Sequence, residues 1–195
     1  MISRLFKSNS TQSNTTHDSL FGWLLPPYNN SGFFNRAVKE AMLGVAIGLM
    51  KAPLSITLAY LEASLYTREE LTEVYGEMKQ FMPEYDKLTV FFICVIAPVV
   101  EELFCQKILR PALESLLNRV GFNPSIAKNS ALICNSLLFA SNHVRGGKLQ
   151  SFAGGMLYGE AAILTEGRLT TSVIAHSTNN ILPTLYLAAN GIIPK

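Results

Sequence analysis

Two adjacent carboxylates sit inside the most apolar part of this chain. The run Leu88–Val100 carries no charge, Glu101 and Glu102 follow side by side, and apolar residues resume at Leu103 and Phe104. The pattern predicts a helix that runs through the pair towards Leu117, with Pro111 bending or ending it. A carboxylate buried without partners costs several kcal/mol. Ion pairs buried for stability alone seldom repay that cost. A chain that keeps two such groups must supply partners from elsewhere in the fold, and the search for those partners organises the remaining sequence.

Composition gives the setting. The 195 residues are 49% hydrophobic and 15% charged, with a mean hydropathy of +0.25. Soluble domains carry roughly 25% charged residues, so the expected fold class is all-α, a polytopic transmembrane helix bundle. About five spans are expected: Ala41–Tyr60, the helix from Leu88, Ser125–His143, Leu149–Thr165 and Leu169–Ala189. The first holds Lys51 and Pro53, which predicts a tilted or broken span with Lys51 snorkelling or facing a cavity. Tyr66–Lys87 is charged and reads as an extramembrane amphipathic helix and loop, with Pro83 as breaker. Small residues in the fourth span, among them Gly154, Gly155 and Gly159, suit close helix packing in lipid. Residues 1–35 read as a polar tail, with Phe21–Leu25 resting at the membrane surface, and 36–195 as one domain. The integral-membrane reading makes the lipid bilayer the first partner. The net charge of +2 and the lack of a basic stripe exclude nucleic acid as another. Cys94, Cys105 and Cys134 lie in apolar runs without CxxC spacing and read as buried thiols.

Five polar groups recur inside these helices: Glu101, Glu102, His143, His176 and Asn180. His176 and Asn180 are four apart and share a face, as do Phe139 and His143. Glu101 and Glu102 are about 100° apart on the helix, so both cannot aim at one point. Each group alone has a plain structural reading: a satisfied core His, an interhelical Asn, a Glu pin. Together they favour a functional site, because a bundle would otherwise bury two Glu and two His for packing alone.

The chain also resembles the CPBP (Abi, type II CAAX prenyl endopeptidase) family of intramembrane proteases over about Leu88–Leu187. That family shows EExxxR, FxxxH and HxxxN on separate spans. Here the matching residues are Glu101-Glu102-Leu103-Phe104-Cys105-Gln106, Phe139-Ala140-Ser141-Asn142-His143 and His176-Ser177-Thr178-Asn179-Asn180. The resemblance implies hydrolysis of a peptide bond in a membrane-associated substrate, either a prenylated CAAX protein or a leader peptide. It implies Glu101 as the general base acting on a water, His143 positioning that water, and His176 with Asn180 stabilising the oxyanion. Glu102 supports from the adjacent face, and no cofactor is implied. One departure stands out. The family Arg is replaced by Gln106, four residues after Glu102, where an Arg would form a favourable i,i+4 ion pair. Gln106 is expected to hydrogen-bond Glu102 but brings no charge.

Other readings compete. Two His with Glu can form a zinc site with an open position, although no HExxH pair is present. Cys105 shares a face with Glu101, yet nothing in the sequence activates it as a thiolate. Buried Glu and His also build proton relays, but the chain has no second symmetric half. A catalytically silent scaffold or immunity-type interaction protein is the remaining alternative.

Overall fold

The computed structural model describes residues 33–81, 86–143 and 147–189. Most of the expected tail, the patch Phe21–Leu25, Pro83 and residues 144–146 lie outside the described residues. Regular structure within them is helical throughout, in six helices with no strand. These are α1 (Phe33–Ala63), α2 (Arg68–Phe81), α3 (Lys87–Arg119), α4 (Pro124–Ser141), α5 (Lys148–Leu164) and α6 (Thr170–Ala189).

Local chemistry sets most of the helix ends. Thr67 and Glu70 form a reciprocal capping box before α2: the Thr67 N–H donates to Glu70 Oε2 at 2.7 Å and the Glu70 N–H to Thr67 Oγ1 at 3.2 Å. Asp86 caps α3 by accepting from the Thr89 N–H at 2.7 Å. That bond holds the exposed Asp86 carboxyl below its ordinary value. Asn123 caps α4, with Pro124 in the first turn. Between α5 and α6 the chain reverses through Glu166 at φ 55° and Gly167 at φ 79°. Only the second is a glycine, so the turn strains Glu166.

The N-terminus of α5 has no side-chain cap of its own. Glu62, at the far end of α1, accepts from the backbone N–H groups of Lys148 at 3.1 Å and Leu149 at 2.9 Å. A buried carboxylate thereby meets the orphan donors and positive end of a helix. At the other end of α1, Glu40 pairs with Arg168, and its carbonyl accepts from Thr171 Oγ1 at 3.2 Å. Helix α1 is therefore tied to the α5–α6 unit at both ends. Pro53 lies inside α1 without ending it, so the expected break does not occur.

Between its ties, α1 runs close along α6. Gly44 and Gly48, four apart, make the approach possible. A Cβ on Gly48 would lie 2.6 Å from Thr178 Cβ and 2.8 Å from the Ala175 carbonyl, and one on Gly44 would lie 2.8 Å from the Thr171 carbonyl. The same arrangement of small residues brings helix backbones together in lipid.

Among the described residues two helices are long and apolar enough to cross a membrane, 34–63 in α1 and 87–119 in α3. Their outer faces expose Met42, Leu49 and Ile56, and Phe91, Val99 and Phe104. Helices α4, α5 and α6, of 18, 17 and 20 residues, are shorter than either. One apolar assignment needs correcting: Cys94 and Cys105 are buried, but Cys134 is exposed on the outside of α4.

The glycine contact is open to a direct test. Gly48→Val forces a branched side chain into Thr178 and the Ala175 carbonyl. It is expected to destabilise the protein by about 1–3 kcal/mol, read as a lower unfolding temperature in detergent. Gly76, where an added Cβ meets nothing within 4 Å, is the control for substitution of an open helical glycine.

Candidate active site

Helix α3 carries the Glu pair between two widened stretches of π geometry, Phe92–Ile96 and Leu103–Leu109. Each precedes a proline, Pro98 or Pro111. A proline ring clashes with the carbonyl four residues back and offers no N–H, and the helix relieves this by widening instead of ending. The Ala97 N–H bonds the carbonyl of Phe92, five residues back. In that register the next donor, for Ile93, would be position 98, and Pro98 has none. The side-chain amide of Asn180 fills the gap, donating to the Ile93 carbonyl at 3.0 Å. This contact anchors α6 to α3, and it occupies one of the two N–H bonds of Asn180.

The partners of the two carboxylates converge on one imidazole. Glu102 is 1% exposed, and its Oε1 lies 3.0 Å from Nδ1 of His176. With the carboxylate ionised, Nδ1 must carry the hydrogen, since such an oxygen only accepts. Glu101 Oε2 stands 3.7 Å from Nε2 of the same ring. Adjacent residues on one helix thus reach the two nitrogens of His176, which reconciles their 100° separation with a shared partner. The ring is held in place by Tyr158, stacked at 4.6 Å between centroids, and by Phe139, edge-on at 5.7 Å.

Beyond His176, Glu101 opens onto a cavity of about 480 Å³. Val100, Phe104, Leu109, Leu138 and Phe139 give it apolar walls, and His143 and Asn142 stand at its rim. His143 follows the end of α4. Its Nδ1 is 2.8 Å from the carbonyl of Phe139, and its ring lies 4.5 Å from the Phe139 ring. A carbonyl can only accept, so Nδ1 carries the hydrogen, and in the neutral ring Nε2 remains an acceptor. A half-buried carboxylate and an imidazole acceptor share one cavity, as activation of a water by a general base requires.

The family model described as Type II CAAX prenyl endopeptidase Rce1-like matches residues 83–182. The chain belongs to this family. No curated protein and no solved structure matches it. The Rce1-like region spans α3 to α6 and includes all five polar residues singled out in the sequence. Helices α1 and α2 precede it.

Against the sequence expectations, the structure brings Glu101, Glu102 and His176 together, places Glu101 and His143 on one cavity, and commits Asn180 to the Ile93 carbonyl. The expected Gln106–Glu102 hydrogen bond is absent. Gln106 Oε1 instead accepts from Nε of Arg110 at 3.2 Å, one turn further on, where Arg110 also reaches Glu114 at 3.7 Å. The charged guanidinium makes a charge-assisted bond to the carboxamide oxygen, and Gln106 is turned towards Arg110. Among the described residues no three His, Cys, Asp or Glu side chains converge on a point that could hold a metal ion. Sequence reasoning missed Tyr158, whose only signal was an aromatic residue within the small-residue helix, and it missed the bond of Arg110 to Gln106.

Tyr158 is 1% exposed, and its hydroxyl meets no hydrogen-bond partner among the described residues. Its value therefore lies in the ring. Tyr158→Phe is expected to be neutral or stabilising by up to about 1 kcal/mol. Tyr158→Leu removes the stack on His176 and is expected to destabilise by about 1–3 kcal/mol. Thermal unfolding of both variants checks the pair.

Proposed function

We propose that this protein is a multi-pass, glutamate-type intramembrane endopeptidase that cleaves a membrane-associated substrate. The observation that carries the reading is the shared cavity of Glu101 and His143, walled by apolar side chains. Glu101 takes a proton from a water that His143 Nε2 helps to hold. The resulting nucleophile attacks the scissile carbonyl. Donors near a water-poor site stabilise the developing oxyanion. The second N–H of Asn180 supplies one in this reading. His176, whose Nδ1–H is given to Glu102, supplies another from Nε2 as the imidazolium, and Glu102 stabilises that cation and fixes the orientation of its ring. Glu101 then returns its proton to the leaving amine, and no covalent intermediate forms.

The apolar walls favour a substrate with a long hydrocarbon group or apolar side chains next to the cleaved bond. A prenylated CAAX terminus and the hydrophobic part of a leader peptide both fit. A metal-free site is the preferred reading, because each nitrogen of His176 already faces a carboxylate.

The deciding experiment uses purified protein in liposomes, a quenched farnesylated CAAX peptide and a panel of membrane-protein substrates. Glu101→Gln and His143→Ala are each expected to lower cleavage by about 10²–10⁴-fold with the fold intact by circular dichroism. Activity is expected to survive exhaustive chelation. Cleavage unchanged in both variants would reject the assigned site. No cleavage by the unaltered protein would transfer the weight to the scaffold reading.

A further inference from the structure

Helix α1 carries a cation into the bundle next to the Glu pair. Lys51 is 5% exposed. Its ammonium end occupies the notch that Gly154 leaves on α5, where a Cβ would lie 2.9 Å from both Cε and Nζ. The ammonium also stands 5.3 Å from the centre of the Tyr158 ring, the ring that stacks on His176. From that ring the contacts run on to His176 on α6, and from His176 Nδ1 to Glu102 on α3. Glu102 is the carboxylate whose charge acts on Lys51. No direct ion pair joins the two among the described residues, and Glu102 Oε2 is buried there without a hydrogen-bond partner.

A buried ammonium and a buried carboxylate each cost several kcal/mol alone, and they offset one another when close. The cation that the family pattern places four residues after Glu102 is Gln106 in this chain, and Gln106 has turned to Arg110. We propose that Lys51 is the counter-ion of Glu102, delivered from a helix outside the Rce1-like region in place of the Arg missing at 106. Lys51 is then a positioning residue. It keeps Glu102 a full-strength acceptor for His176 Nδ1, and so keeps His176 Nε2 turned to Glu101. Gly154 is the other half of the arrangement, since any side chain there would push the ammonium away.

The role in hydrolysis rests on the proteolytic reading, but the pairing is tested without it. Lys51→Met is made in the unaltered protein and in the Glu102→Gln background, and thermal unfolding is measured in detergent. Counter-ion pairing predicts a drop of about 4 °C or more in the first case and no drop, or a rise, in the second. A Lys51→Met protein that fails to fold while the double variant folds supports the pairing equally. The same drop in both backgrounds, or folding lost in both, overturns it and leaves Lys51 a packing residue. In the peptide assay Lys51→Met is expected to lose about tenfold or more and Lys51→Arg to recover most of that loss. Coupling in the unfolding data with no hydrolysis by any variant would keep the counter-ion and remove only the protease.

Discussion

The hydrogen bond between Glu102 and His176 is the contact on which the rest of the interior depends. It spans 74 residues of sequence and joins the most apolar helix to the last one. A carboxylate 1% exposed is tolerable only with such a partner. The demand passes outward from there. His176 needs a fixed plane, which Tyr158 and Phe139 supply from α5 and α4. Helix α6 must then stay at a set distance from α3, and the Asn180 bond to the Ile93 carbonyl holds it there. Helix α1 must lie close against α6, and the absent side chains of Gly44 and Gly48 allow it. Each contact is modest alone, but a change in any of them moves the same imidazole.

Prolines shape the site by subtraction. Pro98 removes an N–H from the turn before the Glu pair and Pro111 from the turn after it. In both places the helix widens and continues. The first widening leaves a carbonyl whose natural donor does not exist, and a side chain from another helix takes its place. A polar residue that looks catalytic by spacing is thereby also a structural pin. The pin uses one of the two N–H bonds of the Asn180 amide, which leaves the other for the proposed oxyanion role.

Much of this architecture was legible in the sequence because it follows from local rules. Helices α3 to α6 fall within a few residues of their expected positions, since capping residues and apolar period are written along the chain, whereas α1 begins at Phe33, eight residues before the expected Ala41. The polar set Glu101, Glu102, His143, His176 and Asn180 stood out because buried polarity is costly anywhere. Relations between helices were harder to read. Helical spacing placed Gln106 under Glu102, and it could not register the competing pull of Arg110 one turn later. The 100° between the two Glu argued against a common target, because the argument treated that target as a point and not as a ring with two separate nitrogens. Cys134 was misplaced because an apolar helix facing outward has the same composition as one facing inward. Pro53 did not break α1, which continues past it to Ala63.

Charge near the Glu pair follows the same distinction between chain and space. Four residues along a helix is one way to bring a cation to a carboxylate, and a neighbouring helix is another. Two unit charges about 6 Å apart at an effective dielectric of about 20 interact by about 3 kcal/mol, so neither route needs direct contact. An arginine reaching Glu102 along α3 would find Oε2, which meets no hydrogen-bond partner among the described residues. A lysine held over Gly154 and Tyr158 adds positive potential from the side and leaves Oε1 to the imidazole. The loss of one motif residue therefore does not by itself mark a silent site. The relevant quantity is the field at Glu102, and that field is set by every helix that faces it.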